Sequence, residues 1–290
     1  MFTPERKFTD WQLTGFSNAP ALLFETLEST HSLMKAKAAA GEIPPGTLIV
    51  ADRQTAGRGR HERTWDSPAS LNLYFNILIP LDGIPLSSAP QITQVAALTF
   101  AETFKSLQDE SNAVNLGNKT IGKVSVKWPN DILCGKHKFC GILAEVVYTK
   151  SSDGSLRPNL SMGVGININS DPADYAIIGR AVTTLKDICG QKINREKLLL
   201  VLIANLERAV GQFRAFGIRP WVSAWKRMDQ FIGTRGTIVA NNRCTDQNRD
   251  SGAGVQKKKG RIADMRDDGS LLFECDDGTT EVVYSADLEI

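Results

Sequence analysis

The sequence has few cysteines and no long apolar run, and both absences exclude whole classes of protein. Its five cysteines among 290 residues are scattered and contain no C-x-x-C pair, which argues against a disulfide framework or a zinc site and favours a reducing compartment. The longest aliphatic run, 198–204, is far shorter than the ~20 residues that span a bilayer, and the N-terminus lacks the apolar region of a secretory signal. We therefore expect a cytoplasmic protein with no membrane partner.

An excess of charge of one sign is also lacking. Lys and Arg number 34 against 32 Asp and Glu, for a formal net charge of +2, so the overall field does not favour nucleic acid or an anionic surface as the main partner. Hydrophobic residues make up 42% and charged residues 23%, as in ordinary globular proteins and unlike disordered or fibrous ones. A chain of 290 residues favours one large and one small domain.

Apolar periodicity and turn signals predict two folded regions after an N-terminal extension, 1–20. The region 21–230 mixes strands with helices, whereas 231–290 has short alternating strands with Asp-Gly turns, typical of a small β-barrel. A polar segment near 241–259 is predicted to be a mobile loop, because it has too few large apolar residues to offset its ordering entropy. Strands are predicted at 21–30, 47–54, 71–80, 124–134, 139–149 and 160–169, and helices at 33–40 after a Ser29/Thr30 cap, at 91–108 and at 194–216.

A short Gly/Arg segment, Gly57-Arg58-Gly59-Arg60, carries the first chemical signal. Glycines let the backbone approach a ligand closely, and guanidinium groups offer forked donors that suit phosphate or carboxylate. Such a loop could close over an anionic intermediate and exclude water. The alternative is a basic surface turn, which we disfavour because the motif occurs once, between two predicted strands.

Two further segments place charged residues beside apolar strands. Lys127, Asn130 and Asp131 surround a proline in KWPND, where they could present a cation to phosphate and a carboxylate to Mg²⁺. A salt-bridged turn is the alternative. Lys138 opens the apolar run that follows, where it could neutralise developing negative charge or simply protect a sheet edge.

Glycines and asparagines also interrupt the strand predicted at 160–169. Gly163 and Gly165 suggest close backbone approach to another group, and a buried Asn167 would need a partner such as the edge of a purine. No G-x-G-x-x-G or Walker sequence accompanies them, so a Rossmann or P-loop nucleotide site is not expected.

In this order and spacing, the segments EST, GRGR, KWPND, K-x-x-GIL and GxGIN closely resemble the biotin–protein ligases over about residues 21–290. The resemblance implies an α+β fold, with a mixed β-sheet and helices as in class II synthetases, followed by an SH3-like barrel. It also implies an ATP-dependent ligase that uses Mg²⁺ and forms biotinyl-5′-AMP. The biotinyl group would then pass to a lysine of a biotin carboxyl carrier domain.

The same resemblance implies roles for individual residues. The catalytic candidates are Lys138, which would bond the biotin carboxyl and the α-phosphate, and Arg60, which would clamp the phosphate side. Asp131 is the candidate metal ligand, and Trp65 with Asn130 would sandwich the adenine. The biotin-binding candidates are Ser29, Thr30, His31, Gln54, Gly57, Arg58, Gly59, Arg60, Lys138, Gly141 and Gly163. The ATP or adenylate candidates are Arg58, Arg60, Trp65, Lys127, Asn130, Asp131, Lys138, Gly165 and Asn167.

Three departures from the family pattern affect these expectations. His31 stands where relatives often have Asn, and we interpret it as a partly exposed histidine at a helix start rather than a metal ligand or base. Glu62 makes the Gly/Arg segment less positive than in relatives. About 20 residues precede the predicted core, too few for the helix-turn-helix domain of bifunctional relatives, so DNA binding is not expected.

The alternatives to a biotin ligase are a lipoate or octanoate ligase or transferase, and a non-catalytic biotin sensor. The first class lacks the KWPND/GRGR pairing, and a sensor would be expected to lose Lys138 or Arg60. A pure interaction module leaves these motifs without a common purpose. The oligomeric state is expected to be either a monomer or a homodimer through the sheet.

Overall fold

The computed structural model describes residues 7–61, 63–106, 124–151, 154–178, 181–241 and 255–290. Within these ranges the chain forms a seven-stranded sheet followed by a five-stranded one. The strands of the first sheet are β1 (Ala21–Leu27), β2 (Leu48–Gln54), β3 (Leu73–Pro80), β4 (Val124–Lys127), β5 (Asp131–Cys134), β6 (His137–Lys150) and β7 (Leu156–Ile166). Those of the second are β8 (Arg235–Asn241), β9 (Val255–Met265), β10 (Leu271–Cys275), β11 (Thr280–Val283) and β12 (Asp287–Glu289). The helices are α1 (Thr30–Ala40), α2 (Ala89–Ser106), α3 (Leu185–Cys189), α4 (Arg195–Phe216) and α5 (Arg219–Met228).

The first sheet is mixed, as the sequence predicts. Its strand order is β1-β2-β3-β7-β6-β5-β4, with β1 and β2 parallel and the other neighbours antiparallel. The second sheet is antiparallel, in the order β11-β10-β9-β8-β12, which is consistent with the predicted SH3-like barrel. The predicted α+β fold class is therefore confirmed.

Alternation of buried residues along β2 explains how helices cover both faces of the first sheet. Leu48 and Val50 belong to the large core that includes α2 and α4. Ile49 points the other way and packs with Met34 and Ala38 of α1, because successive strand side chains point to opposite faces. Ser29 caps α1 by accepting a hydrogen bond from the Ser32 amide, as predicted for this segment.

Two sequence expectations about local structure are wrong. The predicted strand at 124–134 is a hairpin of β4 and β5, joined by a turn that contains a cis Trp128–Pro129 peptide. A proline inside a continuous strand would leave a ladder position without its N–H donor, and here it lies in the turn. In the predicted mobile loop near 241–259, residues 255–259 belong to β9, whereas 242–254 lie outside the described residues.

The sequence predicted neither the packing of the N-terminal extension nor the helices α3 and α5. Trp11 and Phe16 are buried in the large core, and the Gln12 amide donates to Glu196 on α4 at 2.9 Å. The part of the extension that the structure describes therefore packs against the first sheet. Among the described helices, none combines the length and apolarity that a membrane crossing requires.

A turn of the second sheet is hydrogen-bonded to α2 and to the turn between β4 and β5. The carbonyl of Gly269 accepts hydrogen bonds from Gln94 of α2 at 2.9 Å and from the Trp128 indole at 3.0 Å. Gln91 donates to the neighbouring Asp268 carbonyl at 3.0 Å. Gly269 has φ +80°, and a Cβ there would lie 2.3 Å from Gln94, so both its conformation and its surroundings require glycine.

Candidate active site

A cleft lies where β6 and β7 face the connection between β2 and β3. We call residues 57–66 of this connection the arginine loop; position 62 within it lies outside the described residues, and with it the expected effect of Glu62. The glycine-bearing stretch of β6 and β7 is called the floor. The predicted site residues that line the cleft are Ser29, Thr30, His31, Gln54, Arg58, Gly59, Arg60, Trp65, Asn130, Asp131, Lys138, Gly141, Gly163, Gly165 and Asn167.

Strand register builds the floor. Gly141 of β6 lies opposite Gly165 of β7, and both lack the side chain that would fill the cleft. A Cβ at Gly165 would lie 2.4 Å from the Trp65 ring, and one at Gly141 would lie 2.8 Å from Lys138 Nζ. The indole and the lysine therefore rest directly on the glycines, and a ligand on the floor must lie beside these two side chains or displace them.

Lys138 is held in the cleft by two neighbours. Its Nζ lies 2.6 Å from Asp131 Oδ1 and 5.2 Å from the centroid of the Trp65 ring, within cation–π range. The sequence did not predict this ion pair; the pairing of β5 with β6 brings the two residues together. The ammonium group is partly exposed and can meet an anionic ligand from this position.

The end of the cleft near α1 is lined by neutral hydrogen-bonding groups. Gln54 Oε1 accepts from the Thr30 amide at 2.8 Å and from its hydroxyl at 3.1 Å, while Gln54 Nε2 donates to Ser67 at 3.0 Å. Ser29 lies at the cap of α1. These groups suit an uncharged polar ligand group, because they offer both donors and acceptors without a net charge.

His31 is buried, so its interpretation as a partly exposed histidine is wrong. Its exposed fraction is 4%, because the start of α1 packs against β3 and β7. Asn76 Nδ2 lies 3.1 Å from His31 Nδ1, and an amide nitrogen can only donate, which places the ring proton on Nε2. Burial lowers the pKa of His31 from 6.5, and the Glu145 carboxylate, 3.5 Å from Nε2, opposes this shift. The ring is therefore neutral near pH 7.

Two predicted site residues do not line the cleft. Gly57 is buried, and a Cβ there would lie 2.3 Å from the Trp65 carbonyl, so this glycine allows the two arms of the arginine loop to pack closely. Lys127 lies at the end of β4 with its Nζ 5.8 Å from the Phe231 ring centroid. The ligand contacts that the resemblance implied for these two residues stay a prediction.

Asn130 and Asn167 differ in what they leave available to a ligand. Asn130 donates to the Ile142 carbonyl at 2.6 Å, and its backbone carbonyl accepts from the Ile142 amide at 3.1 Å, so it fastens the β4–β5 turn to β6. Asn167 donates weakly to Thr183 at 3.5 Å, but among the described residues its buried Oδ1 has no hydrogen-bond partner. A ligand N–H would satisfy that oxygen.

The arginine loop is tied to the second sheet. Arg63 Nη1 lies 2.8 Å from Asp287 Oδ2, and Arg60 Nη1 lies 3.4 Å from Oδ1 of the same carboxylate. Arg60 also donates to the Ala286 carbonyl and to Ser285 Oγ, both at 3.3 Å. Residues more than two hundred positions apart in sequence therefore meet at the rim of the cleft.

Comparison with known proteins agrees with this geometry. A family model described as the Biotin/lipoate A/B protein ligase family matches residues 23–167. The bifunctional ligase/repressor BirA of Bacillus subtilis is 30% identical over 270 residues, covering 93% of this chain and 72% of that protein. The chain belongs to the biotin/lipoate A/B protein ligase family.

Other members of this ligase family extend the comparison. The biotin–[acetyl-CoA-carboxylase] ligase of Mycobacterium tuberculosis is 26% identical over 261 residues, covering 90% of this chain and 85% of that protein. The fold of this ligase-family chain matches the biotin protein ligase from Aquifex aeolicus in complex with biotin and ATP, with a TM-score of 0.69 at 23% identity over 93% of this chain and 97% of that one. The predicted family and enzyme class are confirmed.

Sequence reasoning missed several cleft residues of this ligase. Leu143 lies two positions after Gly141 on β6 and shares its face of the sheet, so strand periodicity could have identified it. Ile142 and Val164 lie between positions of the floor and have their side chains in the large core, so periodicity does not predict them. Asp287 had no such signal, because only the packing of the second sheet brings it to the cleft. The missed residues are Arg63, Thr64, Asp66, Ile142, Leu143, Val164, Tyr175 and Asp287.

The carboxylates of the cleft fit a magnesium ion only together with a substrate. No group of three or more His, Cys, Asp or Glu side chains that could hold a metal is found in the part of the chain that the structure describes. Mg²⁺ is commonly bound by one or two carboxylates with substrate phosphates and water completing its shell. Asp131, beside Lys138 on the floor, can supply such a carboxylate.

Proposed function

We propose that this chain activates biotin with ATP and transfers it to a lysine of a biotin carboxyl carrier domain. Convergence of Lys138 and the arginine loop on one glycine floor, with neutral polar groups at the other end, is the observation that supports this proposal most directly. A ligand with an uncharged polar ring at one end and a carboxylate at the other matches that distribution. We place the catalytic domain at 21–230 and the C-terminal domain at 231–290.

The polar end would bind the ureido ring of biotin. Thr30 and Gln54 are already hydrogen-bonded to each other, so their orientation is set before a ligand enters. Pre-set donors and acceptors lower the entropy cost of binding. The valeryl chain would then run along the floor past Gly163, with its carboxylate toward Lys138.

In the first step, a carboxylate oxygen of biotin would attack the α-phosphorus of ATP, and the bond to pyrophosphate would break. Lys138 would bond the carboxyl oxygen and the α-phosphate, and Arg58 and Arg60 would bind the phosphates. Asp131 would hold Mg²⁺, which supplies further neutralisation of phosphate charge. Positioning and charge stabilisation supply the rate in such a displacement. Trp65 and Asn167 would contact the adenine by stacking and by the free amide oxygen.

In the second step, the neutral ε-amine of a carrier lysine would attack the carboxyl carbon of the mixed anhydride. An amide bond forms, the bond to the phosphate oxygen breaks, AMP leaves, and the proton that the amine loses passes to solvent water. Closure of the arginine loop would protect the anhydride from water until the carrier arrives.

The test is exchange of labelled pyrophosphate into ATP, run separately with biotin, lipoate and octanoate. We expect exchange with biotin only, followed by a mass increase of one biotinyl group on a carrier domain. Exchange with lipoate or octanoate alone would assign the chain to the other branch of its family. Absence of exchange with all three acids would contradict the proposal and favour a non-catalytic sensor.

A further inference from the structure

One carboxylate of the second sheet is surrounded by three basic side chains of the arginine loop. Asp287, at the start of β12, lies within 4 Å of Arg60, His61 and Arg63. Its side chain is only 12% exposed, whereas that of Arg63 is 42% exposed. The carboxylate is therefore the buried member of the cluster, and it also lines the cleft.

Asp287 supplies a counter-charge to a loop that carries more positive than negative residues. Arg58, Arg60 and Arg63 place three permanent positive charges within six residues, and like charges at this spacing repel one another. Hydrogen bonds from Arg60 to Ser285 and Ala286 add neutral contacts at the same place. Among the described residues, Asp287 is the carboxylate that forms ion pairs with this loop.

We propose that Asp287 is a positioning residue that holds the arginine loop closed over the reaction intermediate. It contacts no reacting atom in this role; it fixes Arg60 and Arg63 so that the loop retains the acyl-adenylate until a carrier lysine arrives. This inference rests on the proposed function, since it assigns to Asp287 the retention of the intermediate formed in the first step.

The experiment measures how fast the intermediate leaves the enzyme. The full-length protein is loaded with labelled biotin and ATP, freed of excess substrate, and followed by the appearance of labelled adenylate in solution. We expect Asp287→Asn to release adenylate roughly 5–30-fold faster than the unmodified protein. Biotin-dependent pyrophosphate exchange should persist but slow by a smaller factor, because Arg60, which Asp287 fixes, also binds the phosphates in the first step. Asp287→Glu should restore slow release, because it keeps the charge.

Two controls separate positioning from a general structural defect. Glu289→Gln changes a carboxylate of the same strand that pairs with Lys257 at 3.1 Å on the exposed surface, and it should leave release unchanged. Arg63→Gln should accelerate release as Asp287→Asn does, and the double variant should release no faster than either single one, because both changes break one interaction.

The salt dependence of the adenylate release rate is an independent measurement, because a packing defect would not change it. Release from the unmodified protein should accelerate between about 0.05 and 0.5 M NaCl, because salt screens partly exposed ion pairs. Release from Asp287→Asn should accelerate by a smaller factor, because only the contacts between the adenylate phosphate and the cations of the cleft are then screened. Slow release from Asp287→Asn with normal exchange would overturn the inference alone. Absence of biotin-dependent exchange in the unmodified protein would instead overturn the proposed function on which it rests.

Discussion

The floor and the arginine loop face each other across the cleft, but different interactions hold them in place. The floor takes its geometry from backbone pairing, which sets Gly141 opposite Gly165. The loop has backbone hydrogen bonds between its own two arms, but side-chain ion pairs to Asp287 hold it against the second sheet. Backbone ladders do not open without unfolding a strand, whereas partly exposed ion pairs exchange readily with water. The molecule thus combines a fixed surface for aligning a ligand with a cover that can release it.

The largest expected effect concerns the residues that flank the arginine loop, which are anchored more firmly than the loop itself. Asp52, at the end of β2, is paired with Arg195 at 2.8 Å in a buried setting and accepts two hydrogen bonds from Ser70. Arg195→Met would leave Asp52 buried without its cation, so we expect the free energy of unfolding in urea to fall by about 3–5 kcal/mol.

The matched control for that prediction is Arg219→Met. This arginine pairs with Asp267 on the surface, with both side chains highly exposed, and such pairs contribute about 0–1 kcal/mol. Equal losses from the two variants would show that the residues flanking the loop are no more firmly anchored than an ordinary surface pair.

The second prediction tests the chemistry at the edge of the floor. Lys138→Ala should slow biotin-dependent pyrophosphate exchange roughly 10²–10³-fold, the usual cost of losing one donor to developing charge. Its melting temperature should stay close to that of the unmodified protein, since the Asp131 partner remains partly exposed. Lys136→Ala, in the exposed turn before β6, is the control, and a comparable loss there would remove Lys138 from its catalytic role.

The third prediction tests whether the floor must lack a side chain at position 165. Gly165→Ala places a methyl group where the Trp65 ring lies, and overpacking of this kind costs about 1–3 kcal/mol. We expect a rise in the KM for ATP of roughly 5–150-fold. Gly211→Ala, within α4 and with no atom within 4 Å of the new Cβ, should leave KM unchanged and stabilise the helix by up to about 1 kcal/mol. An unchanged KM in Gly165→Ala would mean that the ligand does not use this surface.

The smallest expected effect concerns His31, which lines the cleft beside Gly163. Above pH 6.5 the ring is neutral in both the folded and the unfolded chain. Below it, the unfolded chain takes up a proton that burial disfavours in the folded protein, so stability falls by at most about 1.4 kcal/mol per pH unit from this group. His31→Asn should therefore lose less stability between pH 7 and pH 5 than the unmodified protein. Thermal melts across this range measure the difference, and His137→Asn, at an exposed histidine, should behave like the unmodified protein.

The floor was more predictable from sequence than the loop because its determinants are local. Glycines at alternating positions on apolar strands predicted close approach, and strand pairing brought Gly163 and Gly165 to the cleft. Lys127 does not line the cleft, because β4 ends at this residue and Pro129 lies in the turn that follows; its role at the ATP phosphates, which the resemblance implied, stays a prediction.

The contacts of the loop and of His31 depend on packing between distant segments. No periodicity links Asp287 to the arginines near position 60, because their meeting requires the second sheet to dock against the first. His31 was placed near the surface from its position at a helix start, yet the helix itself packs against the sheet at that end, with Asn76 beneath the ring.

The hydrogen bonds that fasten the Gly269 turn to Gln94 and Trp128 also determine which motion can open the cleft. Swinging the second sheet away would strip two buried donors of their acceptor, a cost of about 1–3 kcal/mol for each group. Movement of the second sheet is therefore costly, and we expect the cleft to open by movement of the arginine loop. Opening of a lid takes microseconds to seconds, and this loop must also break its ion pairs to Asp287. The lifetime of the intermediate on this enzyme should therefore be set by a local loop motion rather than by a movement of the two sheets.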